Sequence, residues 1–121
     1  MTKEQNSKQY DLEDRTLRFA RRVRAFVKKL PKIQANIEDG RQLIRASGSV
    51  GANYIEANEA LSKKDFLMRA KICRKEAKES RYWLRLIDTS GTGELEDERR
   101  ALEAEASELT KIFGSIVTKS Q

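Results

Sequence analysis

The side chains able to do chemistry in this chain are mostly cations, and their spacing gathers them into two runs. Between positions 15 and 32 there are eight Lys or Arg and no Asp or Glu. Within that run Arg15, Arg18, Arg21, Arg22, Arg24, Lys28 and Lys29 recur at helical intervals. The second run, 63–85, holds nine basic residues against three acidic, and Lys71, Arg74, Lys75 and Lys78 lie close together in it. Such runs neutralise phosphates, and each phosphate neutralised releases counterions and adds to affinity. The opposite sign is concentrated in 94–108, with seven acidic residues and two basic. The two basic helices therefore form a nucleic-acid surface, or the acidic helix neutralises them within or between subunits, in which case the chain is a homo-oligomeric assembly or adaptor protein that binds other proteins and has no nucleic-acid role.

Covalent and metal chemistry is poorly supplied. Histidine is absent and cysteine occurs once, at Cys73. No internal disulfide, Cys/His zinc site, Ser-His pair or Cys-His pair can be assembled. Cys73 falls in an apolar stripe, where a small core residue is the expected role. Asn53 and Glu56 are three apart and share a helical face, from which they could reach Arg45 or a partner helix. Glu59 and Asp65 are the only neighbouring carboxylates, short of the nucleophile, metal or paired acid that catalysis requires. The chain is read as a non-enzyme with no cofactor, metal or small-molecule substrate.

The elements that hold these residues are helices. One proline and six glycines leave little room for a many-turned β fold, and 36% charged residues suit long helices with wide solvated faces. Helices are expected over 12–29, 37–59, 63–88 and 94–118, after a polar tail at 1–10. Asp11 caps the first, whose apolar face is Leu12, Phe19, Val23, Phe26 and Leu30, widened by Leu17, Ala20 and Val27. Pro31 ends it. Asn36 caps the second, which draws on Ile37, Leu43, Ile44, Val50, Ile55 and Ala57. Ser62 and Asp65 form a capping box before Phe66. The third helix buries Phe66, Ala70, Cys73, Ala77, Leu84 and Ile87, flanked by Met68, Ile72, Trp83 and Leu86. Gly91 and Gly93 punctuate the loop before the fourth, whose apolar face is Leu95, Leu102, Ala106, Leu109, Ile112, Phe113, Ile116 and Val117. Four helices with short connections predict an all-α, antiparallel up-down four-helix bundle in one domain, 11–118.

Within the second helix, Ala46, Gly48, Ser49, Gly51 and Ala52 form a run of small residues. A glycine inside a helix costs about 1 kcal/mol relative to alanine, which points to close approach of another backbone. Hydrophobic residues reach only 38%, so a protomer that shares apolar surface with copies of itself is expected. Of the exposed-ring candidates for stacking on a single strand, Tyr54, Tyr82 and Trp83, Trp83 lies on the apolar flank, where core or interface is the expected place. The polar N-terminus lacks a signal peptide, no run approaches the ~18 apolar residues of a membrane span, and a cytoplasmic setting is expected.

The residues Arg45-Ala46, Ser49-Val50-Gly51-Ala52-Asn53, Glu56-Ala57, Ser62-Lys63-Lys64-Asp65-Phe66 and Tyr82-Trp83-Leu84 carry a resemblance. They resemble the bacterial four-helix bundle family that includes proteins encoded in intervening sequences of large-subunit ribosomal RNA genes, over about residues 10–117. The chain departs at Gly51 and Ala57, where many members carry proline and glycine. The resemblance implies structural roles for Arg45, Ser49, Gly51, Asn53, Glu56, Asp65 and Trp83, and a ring-like homopentamer. It extends to the basic pentameric accessory variability protein of diversity-generating retroelements, which is implicated in binding nucleic acid. No zinc finger, RNP sequence or helix-turn-helix spacing is present, so recognition of backbone or shape, with structured RNA ahead of DNA, is the expected mode.

Overall fold

The protein is described by a computed structural model covering residues 3–91 and 93–121, with side chains from residue 12 onward. Its elements are four helices: α1 (Lys3–Lys28), α2 (Gln34–Asn58), α3 (Lys63–Leu86) and α4 (Gly93–Ser120). Each packs on its neighbour in the chain, α4 closes against α1, and the diagonal pairs meet only through core side chains. This is the square, antiparallel four-helix bundle that the periodicity predicts. The α2–α3 and α3–α4 seams are the most extensive, and α1–α4 is the slightest.

The core lies on the expected stripes. Phe19, Val23 and Phe26 from α1 meet Leu43, Val50 and Tyr54 from α2, Cys73, Ala77 and Leu84 from α3, and Leu102, Leu109 and Phe113 from α4. Tyr54 sets its ring edge-on to Phe113, with centroids 5.6 Å apart. Burying the Val, Leu and Phe side chains among these contributes roughly 1.5–3 kcal/mol each. The flanks are narrower than expected. Leu17, Ile37, Ile55, Met68 and Leu86 are each about half exposed, because a helix at the corner of a square covers only the arc between its two neighbours.

The starts of α1 and α2 depart from the sequence reading, and the other helix ends lie within two residues of it. α1 starts at Lys3, ahead of residue 12, so position 11 lies within the helix rather than at its N-cap. The segment 3–9 contains neither glycine nor proline to stop it. α1 closes on two tight turns, Lys29 N to Phe26 O and Leu30 N to Val27 O, just before Pro31. α2 starts at Gln34 with Ile33 at the cap position, so Asn36 is not its N-cap. Asn36 is instead buried, donating to Pro31 O at 3.1 Å and Asp88 O at 2.8 Å while accepting from Asp88 N at 3.0 Å. It ties together the two loops at one end of the bundle. The cap on α3 stands as expected, with Ser62 Oγ accepting from Asp65 N at 3.0 Å. α3 stops at Leu86 and α4 runs on to Ser120.

Candidate nucleic-acid interface

The signature residues mostly hold helices together. Arg45 on α2 donates to both carboxylate oxygens of Glu76 on α3, at 3.2 and 3.4 Å, and reaches Glu79 at 3.4 Å. Asn53 donates to Ser49 O and Ser49 Oγ on its own helix, and its Oδ1 accepts from Arg69 on α3 at 3.0 Å. Asn53 thus crosses the seam to Arg69, whereas Arg45 is engaged with Glu76. Glu56 is exposed and forms no ion pair among the described residues. Gly51 faces α1, where an added Cβ would lie 3.0 Å from Thr16 Oγ1 and 3.3 Å from Thr16 Cβ. Thr16 is buried, and its hydroxyl donates to Leu12 O at 2.9 Å. The small-residue run therefore admits α1 closely at Gly51. At Gly48 the neighbour is the flexible end of Arg24.

The cations fall into two groups that differ in how they are paired. On α1, Arg15 grips Glu105 of α4 through bonds of 2.7 and 2.8 Å, and Arg22 reaches Glu98 at 3.1 Å. Hydrogen bonding to Glu105 raises the Arg15 pKa. Arg18 pairs with Asp14, and Arg24 donates to Ala20 O at 3.2 Å. Arg21 and Lys28 have no ion pair among the described residues. On α3, none of Lys71, Arg74, Lys75 and Lys78 forms one. All four line an open groove of about 850 Å³ between α3 and α4, with Tyr82, Trp83, Ser107, Thr110 and Lys111. The single carboxylate lining it, Glu79, is engaged by Arg45.

The antiparallel register explains this division. α4 carries its acids in its first half, which lies beside Arg15 and Arg22 of α1 and beside Arg81 and Arg85 at the end of α3, both reaching Glu103. Beside Lys71, Arg74, Lys75 and Lys78 of α3, α4 contributes Ser107, Thr110 and Lys111 to the groove, with Gly114 next to the Arg74 stem, and none of these brings negative charge. Arg15 and Arg22 are turned to the α4 acids, so among the α1 cations these do not extend the α3 groove. Arg21 and Arg24 line the α1–α2 side.

With this geometry in view, comparison with known proteins places the chain. The sequence profile of the 23S rRNA-intervening sequence protein family matches residues 8–115. The chain belongs to this family. A crystal structure of a protein of unknown function from the S23 ribosomal protein family of Bacteroides thetaiotaomicron is similar to it, with 30% identity and a TM-score of 0.78 over 92% of this chain and 98% of that one. No curated protein matches.

What this intervening-sequence protein can do chemically is bounded by its side chains. Among the described residues no group of His, Cys, Asp and Glu could hold a metal ion. Burial pushes the Cys73 thiol up to about 12, and Sγ donates to Val50 O at 3.4 Å, so it is a core group. Tyr54 is buried against Phe113, which removes it as a stacking platform. Tyr82 is 57% exposed beside the groove cations. Lys111 was not singled out from the sequence. Its signal is the change in α4 from acidic to basic after Glu108, where the sequence holds Lys111 and Lys119 and no acid, and this acquires meaning only when α4 is laid antiparallel on α3. No described helix is long and apolar enough to cross a membrane.

Proposed function

We propose that this intervening-sequence protein is a non-enzymatic, self-associating bundle that binds structured RNA, ahead of DNA, through the phosphate backbone, and that its contact surface is the α3–α4 groove. The observation that carries this reading is the gathering of Lys71, Arg74, Lys75, Lys78 and Lys111 in one groove without an ion pair among the first four. A cation already paired with a carboxylate must give up that partner to bind a phosphate, which disfavours Arg15 and Arg22. The net charge of +6 adds long-range attraction for a polyanion.

The test is fluorescence anisotropy of a labelled structured RNA across a salt series. Submicromolar binding that weakens steeply with salt is expected, with the slope falling by somewhat under one for each phosphate contact removed. The triple change Lys71→Glu, Lys75→Glu, Lys78→Glu should abolish binding, while Arg18→Glu with Arg21→Glu should retain most of it. Absence of binding at tens of micromolar protein in low salt would overturn the reading.

Self-association is supported by the opposite side. There Leu17 and Ile55, each about half exposed, flank Gly48, Gly51 and Ala52 in a shallow groove of about 440 Å³ between α1 and α2. A second chain seated on this side would cover apolar surface that the lone protomer exposes to water. It would leave the α3–α4 groove open.

A further inference from the structure

Lys71, Lys75, Lys78 and Tyr82 are spaced four, three and four residues apart, which places them in a single line along one face of α3. The three lysines extend over roughly 10 Å of the helix axis, and Tyr82 comes one turn after the last of them. The Tyr82 ring is packed edge-on to Trp83, with centroids 5.2 Å apart and planes at 72°. That contact restrains the ring while leaving the side chain 57% exposed. Trp83 lines the same groove, and its indole N–H is buried without a hydrogen-bond acceptor among the described residues.

From this line of charges ending in a restrained, exposed ring, we infer that the groove recognises unpaired nucleotides: the lysines hold consecutive phosphates of one strand and a base stacks on Tyr82. The inference rests on the RNA reading above and deepens it, since phosphate contacts alone do not separate a paired strand from an unpaired one. Stacking does, because a base presents its face only when it is out of a duplex. Every base has such a face, so the preference is for unpaired structure rather than for sequence. A single sign of charge along the line fits a polyanionic strand better than a protein helix.

Two hairpin RNAs with equal phosphate counts provide the test, one fully paired and one with a two-nucleotide bulge, together with a third whose bulge is abasic. Trp83 is the sole tryptophan, so its emission reports occupancy of the groove directly. The bulged hairpin should bind roughly tenfold tighter than the paired one and quench Trp83, and the abasic bulge should behave as paired. Tyr82→Ala should remove the preference, bringing the bulged and paired hairpins to the same affinity, and Tyr82→Phe should restore it. Equal affinity for all three hairpins with unchanged Trp83 emission would overturn this inference and leave the backbone reading standing. Failure of every hairpin to bind would overturn both.

Discussion

At the scale of single residues, the most heavily bonded carboxylate is Glu96. It accepts from Arg99 at 2.6 and 2.8 Å, from Thr89 Oγ1 at 2.8 Å and from Arg100 at 3.0 Å. These bonds, Arg99 foremost and then Thr89, hold its pKa at about 2 against an ordinary 4.5. A carboxyl that is more acidic in the folded state contributes stability in full above the unfolded value and loses it as pH falls through the folded one. The loss therefore falls between about pH 4.5 and pH 2. Glu96→Gln should be less stable than wild type at pH 7 and should lose less on acidification across that window, as read from urea midpoints at successive pH values. An unchanged acid dependence would show that Glu96 is not a source of it. Cys73 illustrates the opposite environment, since its thiol is buried and faces a backbone carbonyl.

At the scale of elements, two mid-helix glycines should respond to alanine with opposite signs. Gly51 meets Thr16 so closely that a Cβ would force either the buried hydroxyl or the α1 backbone to move. Gly114 on α4 has space: an added Cβ would rest in ordinary contact with the Arg74 stem at 3.8 Å. Gly114→Ala should raise stability by about 0.5–1 kcal/mol through helix propensity alone. Gly51→Ala should lower it by about 1–3 kcal/mol through overpacking. Thermal unfolding of the two variants checks both, and stabilisation by Gly51→Ala would remove the close-approach explanation of the small-residue run. Asn36 shows a related dependence on context. Its type suits a cap, but it is two loops brought to one end of the bundle that supply its partners.

At the scale of the whole molecule, the proposed activities occupy opposite sides. The α1–α2 side carries exposed Leu17 and Ile55, and the α3–α4 side carries the groove of Lys71, Arg74, Lys75 and Lys78. Assembly through the first would array copies of the second around a ring or stack, multiplying phosphate contacts per particle. Ile55→Glu combined with Leu17→Glu should lower the mass found by light scattering and flatten the salt dependence of RNA binding, with each bundle remaining helical. Native mass in this variant would locate self-association elsewhere. The acidic first half of α4 has a separate task, to neutralise α1 and the end of α3 across their seams.

The sequence by itself determined the four helices, their antiparallel order, most of the core and the cap at Ser62, because three-four periodicity and capping are local and each is repeated within one segment. It also identified the basic runs on α1 and α3, the acidic run on α4 and the close approach at the small residues. Only the tertiary structure decided which cations are paired. Arg15 and Lys71 are both cations, but Arg15 lies across from Glu105, whereas Lys71 lines a groove to which α4 brings Ser107, Thr110 and Lys111 and no acid. That difference comes from the register between helices distant in sequence. The same is true of the choice among rings: Tyr54 is core and Tyr82 is surface because each helix of a square bundle buries only the arc between its two neighbours.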